Sequence, residues 1–307
     1  MQDLFSLKGR TALVTGGSRG IGEMIAEGFV RAGAKVYISA RKGSACEETA
    51  KRLSAFGECT AIASDASGAA GARALADLYL ARESRLDVLV NNAGAAWGEP
   101  IEGFPESGWD KVMDLNVKAP FFLIQALLAA LRGAASRERP AKIINIASID
   151  GLSVNMLPTY SYAASKAGLI HLTKRLALEL APQNIVVSAI APGAFASNMN
   201  KVARDHSEAL SKKIPARRIG SPEDMAGAAI FLASRAGDYV VGDTLLWTAA
   251  SPGEGRTWGE PSASLAGLLL QRRQRARWGT DLPLHQRLGS PIWRPTRSHS
   301  SSQGETS

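Results

Sequence analysis

The chain has 307 residues, 45% hydrophobic and 21% charged, a composition typical of a globular protein with a substantial core. No uncharged apolar run of about 18 residues predicts membrane insertion, residues 1–10 lack a secretory signal, and Cys46 and Cys59 lack metal-ligand spacing, so we expect a cytoplasmic protein without a metal. The net charge of +8 favours neither nucleic acid nor membrane as a partner, because half of the excess falls in residues 247–307, which hold eight arginines and four acids.

Short apolar or β-branched runs alternate with stretches of helical periodicity through residues 1–246, which we expect to form one domain. The runs that predict strands are residues 11–15, 35–39, 60–63, 88–91, 142–147, 186–190 and 243–247. The stretches that predict helices are residues 21–32, 46–56, 69–81, 109–131, 162–180 and 222–232. This alternation predicts an α/β fold with right-handed crossovers, in which helices cover both faces of a doubly wound parallel sheet.

A glycine-rich turn, TGGSRGIG over residues 15–22, joins the first predicted strand to the first predicted helix. Glycines let the backbone approach a pyrophosphate, and a helix N-terminus supplies free N–H groups and a favourable dipole. The spacing is GxxxGxG rather than the common GxGxxG. We therefore expect a dinucleotide phosphate to bind at Gly16, Ser18, Gly20, Ile21 and Gly22.

The end of the second predicted strand indicates which dinucleotide binds. A site that prefers NAD tends to place an acid there for the ribose 2′-hydroxyl, whereas this strand runs VYISAR without one. Arg41, together with Arg19 in the glycine turn, is suited to pair with a 2′-phosphate. The alternative is that both arginines are only solvated, but two cations and a missing acid together favour NADP(H).

Two further strand ends carry candidate cofactor contacts. Asp65, beside Ala66, either accepts a hydrogen bond from the adenine amino group or caps the next helix. After the fourth strand, the asparagines of NNAG are predicted to tie neighbouring strands together and leave room for the cofactor ribose, the alternative being an ordinary turn. The residues of this motif that we assign to the cofactor are Asn92, Ala93 and Gly94.

A tyrosine and a lysine stand four residues apart within the sequence YAASK. Tyr162 and Lys166 therefore share one helix face, and the ammonium is expected to lower the pKa of the phenol from its usual value of about 10. Tyr162 would then protonate a carbonyl oxygen while hydride arrives at the carbon. Tyr160 is not the candidate, because its partner four residues on is Ala164.

Ser148 and Asn116 complete the candidate catalytic set. Ser148 ends the fifth predicted strand, where its hydroxyl would hold the substrate oxygen near the phenol. Asn116 lies inside a predicted helix although asparagine is a poor helix former, and it would bind a water that relays protons through Lys166. Each residue alone has an ordinary structural explanation, but the four in this order favour catalysis.

The sixth predicted strand leads into Pro192 and Gly193, which are expected to turn the chain around the nicotinamide end of the cofactor. Residues 194–215 then form a long connection before the next predicted helix. Long connections in compact domains are often lids, so this one is expected to enclose the substrate.

These motifs, in this order, resemble the short-chain dehydrogenase/reductase family over residues 5–246: TGGSRGIG, NNAG, DLNV, IASIDG, YAASK and APG. The resemblance implies a Rossmann-type sheet of about seven strands, catalysis by Asn116, Ser148, Tyr162 and Lys166, NAD(P)-dependent interconversion of ketones and alcohols, and a homodimer or homotetramer. Within the family the chain looks most like NADPH-dependent β-ketoacyl reductases of the rhamnolipid-precursor type, through segments such as ISARK and APGAFASNM. That implies a thioester substrate on acyl carrier protein or CoA; a sugar, polyol or steroid-type alcohol is the alternative.

In the last predicted strand, TLL over residues 244–246 leads into WTAA, where the family usually ends this strand with VDGG. A one-base shift of the codons for WTAA gives VDGG when the free codon positions are G. We therefore hypothesise a frameshift near residue 246 and an out-of-frame, disordered tail over residues 247–307. The rival is a basic extension that binds membrane or nucleic acid through residues 271–277. Whether the tail arose by a frameshift or as a natural extension, it could impair catalysis. The alternative function is therefore that of a catalytically impaired enzyme or of a protein that only binds its ligands.

Overall fold

Seven parallel strands form one sheet within the residues that the structure, a computed structural model, describes: 3–197 and 199–249. The strand order is β3-β2-β1-β4-β5-β6-β7. The strands are β1 (Thr11–Thr15), β2 (Lys35–Ala40), β3 (Cys59–Ala63), β4 (Val88–Asn91), β5 (Ala141–Ile146), β6 (Ile185–Pro192) and β7 (Thr244–Trp247). The predicted doubly wound parallel sheet is confirmed.

The sheet is wound outward in two directions from its centre. β1 pairs with β2 on one side and with β4 on the other, so the strand order reverses between β1 and β4. β4, β5 and β6 are buried along their whole length, which explains why their sequences are mostly apolar and do not alternate between apolar and polar residues. In such sheets ligands bind beyond the carboxyl ends of the strands at the point of reversal.

Helices cover both faces of the sheet. They are α1 (Gly20–Arg31), α2 (Gly43–Leu53), α3 (Gly68–Leu80), α4 (Glu106–Met113), α5 (Ala119–Ala134), α6 (Tyr160–Leu180), α7 (Lys201–Asp205), α8 (Ser207–Ser211) and α9 (Pro222–Ala233). On one face α1 and α9 bury residues such as Phe29 and Leu232. On the other, α3, α5 and α6 bury Leu75, Leu127 and Leu180. The two apolar layers hold the carboxyl ends of the strands at one common edge.

The helix predicted over residues 109–131 is three segments in the structure. α4 begins at Glu106, the turn Asp114–Lys118 is π-helical, and α5 continues to Ala134. The wider turn contains Asn116, and such turns are often found at functional sites. Periodicity alone missed it because a single extra residue barely changes the apolar pattern.

The continuous stretch Glu106–Ala134 is the described segment whose composition comes nearest to that of a membrane-spanning helix. Its 18-residue window of mean hydropathy 1.4 is long and apolar enough to cross a bilayer by length and composition alone. In this fold, Leu123, Ile124 and Leu131 are buried in the core beside the sheet. The same composition therefore serves here as a core helix.

The connection predicted over residues 194–215 is not wholly irregular, because α7 and α8 lie within it. Pro192, which we placed after the sixth strand, is the last residue of β6 and pairs with Trp247 of β7. The boundary predicted after residue 246 thus falls inside β7, whereas the tail predicted over 247–307 lies, from residue 250 onward, outside the described residues.

Candidate active site

Three predicted catalytic side chains meet at the carboxyl edge of β5. Ser148 lies two residues beyond β5, and its Oγ accepts a hydrogen bond from the backbone N–H of Asp150, 3.1 Å away. The Ser148 side chain also interacts with the Tyr162 phenol, and this interaction acts to lower the phenol pKa. Lys166, one turn further along α6, is buried, and its Nζ lies 5.6 Å from the centroid of the Tyr162 ring. The structure therefore brings the tyrosine, serine and lysine into one cluster.

The electrostatics of this cluster differ from our expectation for Tyr162. Burial raises the pKa of its phenol to about 12, and the hydrogen bond from Ser148 only partly offsets this effect. The Lys166 ammonium donates to the Ile146 carbonyl oxygen at 2.7 Å, its Nζ lies 5.6 Å from the ring centroid, and Lys166 is not among the groups that shift the phenol pKa. The prediction that Lys166 lowers the phenol pKa is therefore wrong for this arrangement, in which the phenol stays protonated near neutral pH.

Lys166 is itself perturbed by its surroundings. Burial lowers the pKa of its ammonium to about 8, because the charged form loses its hydration. At neutral pH most molecules therefore still carry Lys166 as a cation, 5.6 Å from the centroid of the Tyr162 ring. The cluster thus combines a proton donor with a nearby positive charge, as a general-acid site requires.

Asn116 reaches the same region from the π-helical turn. Its Oδ1 accepts from the N–H of Ala95 at 2.8 Å, and its Nδ2 donates to the Ala95 carbonyl at 2.9 Å and to Ser165 Oγ at 2.9 Å. Both amide hydrogens are therefore used by the protein. A Cβ placed at Gly94 would lie 3.3 Å from Asn116 Oδ1 and 3.7 Å from Lys166 Nζ, so Gly94 keeps this junction open.

Two organising residues escaped the sequence analysis. Ser165 is fully buried and donates to the Tyr162 carbonyl at 2.7 Å, so it links Asn116 to the start of α6. Thr15 is also buried, and its Oγ1 accepts from the N–H groups of Asn92 and Ala93 at 3.0 and 2.9 Å. Both are small hydroxyl residues within apolar stretches, and that polar interruption was the only signal available.

The NNAG segment ties the strands together as predicted. Asn91 Nδ2 donates to Asn145 Oδ1 of β5 at 2.8 Å. Asn92 Nδ2 donates to the carbonyl oxygens of Thr15 and Gly16 at 2.8 and 3.2 Å, so it fastens the glycine turn to β4. Amide side chains thus bridge three strands at the edge where the cofactor was expected.

The glycine turn fits closely around Asn92. Gly16 has φ +65°, a left-handed conformation that favours glycine, and a Cβ there would lie 3.0 Å from Asn92 Nδ2. A Cβ at Gly22 would collide with the same amide nitrogen and with the Gly16 carbonyl. Glycine at these positions is what allows the backbone of the turn to face the cleft.

The N-terminus of α1 has the properties of an anion site. Arg19 is the N-cap residue of α1, and its side chain makes no capping hydrogen bond. The first backbone N–H groups of the helix, beginning with those of Gly20 and Ile21, therefore have no N-cap side chain as an acceptor. Ser18 is fixed by its carbonyl, which accepts from Thr49 Oγ1 at 3.1 Å. Among the described residues no hydrogen bond or ion pair engages the exposed guanidinium groups of Arg19 and Arg41. The uncapped start of α1 is suited to bind a pyrophosphate, and the two arginines beside it are suited to bind the additional 2′-phosphate of a dinucleotide.

Asp65 shows the local role that we left as an alternative. Its Oδ1 accepts from the backbone N–H of Ser67 at 3.0 Å and from Ser67 Oγ at 2.6 Å, immediately before α3 begins at Gly68. Ala66 and Ala93 line one small cavity together with Thr15. The segments that follow β3 and β4 therefore both reach this cavity, although β2 and β1 lie between the two strands in the sheet. Asp65 is held in the turn after β3.

Pro192 and Gly193 are held by the chain that follows β7. The N–H of Gly193 donates to the Trp247 carbonyl at 3.0 Å, and a Cβ at Gly193 would collide with the side chain of Thr248. Trp247 is itself anchored, because its Nε1 donates to the Asp224 carbonyl at 2.8 Å. Further along, Ser197 lies against Gly20, where a Cβ would be 3.2 Å from Ser197 Cβ. The segment after β6 therefore passes over the start of α1.

Comparison with known proteins gives consistent matches. The sequence model described as short chain dehydrogenase matches residues 10–208. The rhamnolipids biosynthesis 3-oxoacyl-[acyl-carrier-protein] reductase of Pseudomonas aeruginosa is 52% identical over 248 residues, which cover 80% of this chain and 97% of that protein. A 2-dehydro-3-deoxy-D-gluconate 5-dehydrogenase of Dickeya dadantii is 38% identical, over 78% of this chain and 94% of that protein. Among solved structures, the Pseudomonas aeruginosa RhlG/NADP active-site complex is 50% identical, with a TM-score of 0.78 over 81% of this chain and 99% of that one.

Proposed function

Because this chain belongs to the short-chain dehydrogenase family, we propose that it is an NADPH-dependent reductase that converts a β-ketoacyl thioester into the β-hydroxyacyl thioester. It is an oxidoreductase acting on CH–OH or keto groups, and the observation that carries the proposal is the grouping of Ser148 and Tyr162 beside the buried Lys166 cation. The similarity to a 3-oxoacyl reductase supports the ketoacyl substrate.

NADP(H) is the cofactor, in agreement with the NADP complex of the 50% identical structure. The start of α1 would bind the pyrophosphate, and Arg19 and Arg41 would pair with the 2′-phosphate. Asp65 and Ala66 would adjoin the adenine, and the residues that would adjoin the ribose and nicotinamide are Asn92, Ala93, Gly94, Lys166, Pro192 and Gly193. When bound, NADPH supplies the hydride that the chain's own side chains do not carry.

The side chains supply the proton and the position of the substrate oxygen. Tyr162 gives its hydroxyl proton to that oxygen as the ketone becomes an alcohol. The Ser148 hydroxyl donates a hydrogen bond to the same oxygen and holds it against the phenol. The Lys166 ammonium stabilises the phenolate that remains, because it lies against the ring in a cleft shielded from water. Asn116 fixes the segment around Ala95 that borders Lys166.

The decisive experiment measures NADPH consumption by the purified full chain. Acetoacetyl-CoA and a 3-oxoacyl carrier-protein thioester should be reduced, whereas 2-dehydro-3-deoxygluconate, gluconate and simple polyols should not. Activity on the sugar acid alone would favour the alternative of a sugar dehydrogenase, which the 38% identity to such an enzyme supports. NADPH binding without turnover of either the thioesters or the sugar-type substrates would favour the alternative of a catalytically impaired enzyme. The same assay on a chain with the reading frame restored after residue 246 tests whether the tail causes the impairment.

We further propose that the chain works in the cytoplasm as a homodimer or homotetramer and meets its substrate on acyl carrier protein or CoA, without nucleic acid or membrane insertion. Light scattering on the purified chain gives the subunit number. A monomer that reduces thioesters at full rate would contradict the proposed assembly.

A further inference from the structure

Large apolar side chains remain exposed beside Ser148 and Tyr162. Of the sixteen such side chains in the described residues, five lie between residues 152 and 160. Val154 is 83% exposed, Met156 72% and Leu157 67%. An exposed apolar cluster of this kind usually marks a binding surface, because leaving it in water is unfavourable.

A second segment completes the same surface. The N–H of Glu99 donates to the Pro158 carbonyl at 3.1 Å. The rings of Phe104 and Tyr160 meet edge to face at 5.7 Å, and Ile101, 68% exposed, stands nearby in the chain. Residues 97–104 and 152–160 are thus joined by direct contacts, and we refer to them together as the apolar rim.

The apolar rim is continuous with the candidate active site. Tyr160 is the first residue of α6 and precedes Tyr162 by two positions. At the other end, Ser148 caps the short turn Ile149–Gly151, which leads directly into residue 152. A substrate whose ketone oxygen lies between the two hydroxyls therefore has the apolar rim beside it.

The charges around the apolar rim indicate what kind of substrate fits. Residues 95–105 and 149–161 include three acids, Glu99, Glu102 and Asp150, and contain no lysine, arginine or histidine. Lys111 adjoins one end of the rim, with its Nζ 5.3 Å from the centroid of the Trp97 ring. The three carboxylates outnumber this single cation, so an anionic sugar acid would be repelled on balance. A neutral hydrocarbon chain meets no such penalty and removes apolar surface from water.

We propose that the apolar rim binds the acyl chain of the substrate, so that the enzyme selects medium- and long-chain β-ketoacyl thioesters over the acetoacetyl thioester. This inference rests on the proposed function and adds the chain length that the site selects. Each methylene group that the rim removes from water strengthens binding by up to about fourfold. A decanoyl chain should therefore bind at least about tenfold more tightly than a butyryl chain even when only part of it is covered.

The test separates binding from turnover. Butyryl-CoA and decanoyl-CoA, which lack the ketone, are titrated into the full chain with NADP+ by calorimetry. In parallel, kcat/KM is measured for acetoacetyl-CoA and 3-oxodecanoyl-CoA. The variants are Met156→Gln, which keeps the length of an exposed side chain but makes it polar, and Leu178→Gln, a matched control at the far end of α6, where Leu178 is 76% exposed.

We expect the parent chain and Leu178→Gln to favour the decanoyl ligand at least about tenfold, and Met156→Gln to lose several-fold of that preference with the butyryl affinity unchanged. Equal affinity of the parent for both ligands would overturn the inference, and so would a Met156→Gln variant that changes the subunit number by light scattering, since the rim would then be a subunit contact. Failure of the proposed function has a different signature: neither ketone thioester is reduced, whatever the two CoA ligands show in calorimetry.

Discussion

The two ends of the cofactor cleft use charge in opposite ways. At the catalytic end Lys166 is 4% exposed, and burial alone lowers the pKa of its ammonium to about 8. At the phosphate end Arg19 and Arg41 are exposed side chains beside the start of α1. Charges act strongly where water is excluded and weakly where it is not. We therefore expect substitutions at the buried end to change the rate of reaction, and substitutions at the exposed end to change which dinucleotide binds.

The largest expected effect is at Tyr162. Tyr162→Phe removes the proton donor and leaves the ring against Lys166, so kcat should fall by about a hundredfold to ten-thousandfold while NADPH affinity, measured by fluorescence titration, stays within about twofold. Tyr160→Phe is the matched control and should retain most activity. Turnover near the parent rate in Tyr162→Phe would show that Tyr162 is not the proton donor. It would also contradict the expectation that substitutions at the buried end mainly change the rate.

The second prediction concerns the pH dependence that burial of Lys166 produces. The lysine is charged below its pKa of about 8 and neutral above it, whereas the Tyr162 phenol, with a pKa of about 12, remains protonated over the same range. The positive charge that stabilises the phenolate is therefore lost as pH rises, and kcat/KM should fall about tenfold per pH unit above 8.

Two lysine variants identify the group whose titration causes the fall in kcat/KM above pH 8. Lys166→Met should be nearly inactive at every pH and show no titration near pH 8. Lys174→Met, on the exposed face of the same helix two turns further on, should keep the parent profile. A profile that stays flat to pH 10 would show that the ammonium of Lys166 is not needed in its charged form.

At the exposed end, Arg41→Asp should change specificity rather than rate. A charge-assisted hydrogen bond contributes about 1.5–3 kcal/mol, so the ratio of kcat/KM for NADPH to that for NADH should fall by about tenfold to a hundredfold, with kcat on the preferred cofactor little altered. Arg137→Asp makes the same charge change between α5 and β5, at the opposite edge of the sheet, and serves as the control. An unchanged ratio in Arg41→Asp would mean that this arginine does not contact the 2′-phosphate.

The smallest expected effect is at Trp247, which supports the turn after β6 at the catalytic end. Trp247→Phe keeps an aromatic ring but removes the N–H that donates to the Asp224 carbonyl at 2.8 Å. The loss of one hydrogen bond costs about 1 kcal/mol, so Tm should fall by about 2–4 °C and KM for NADPH should rise slightly. Trp109→Phe, at a half-exposed indole, is the control and should leave Tm unchanged; an equal fall in both variants would indicate a general effect of losing an indole.

The sequence by itself determined the order of strands and helices, the glycine turn after β1, the asparagine bridge after β4 and the placement of Tyr162 and Lys166 on one face of α6. These features depend on periodicity and spacing along the chain. The repeat of a helix or a strand decides from them which secondary structure forms and which residues lie on the same face. For the same reason the NADP preference was readable, since a missing acid and a present arginine at one strand end need no knowledge of distant segments.

Only the tertiary structure decided how those residues behave once they are assembled. Burial raises the pKa of Tyr162 and lowers that of Lys166, and the lysine nitrogen donates its hydrogen bond to the Ile146 carbonyl oxygen, 5.6 Å from the centroid of the tyrosine ring. The apolar rim and the anchoring of Trp247 likewise join segments far apart in the chain. Desolvation and such contacts depend on every segment that surrounds a group, so no spacing within one helix could have revealed them.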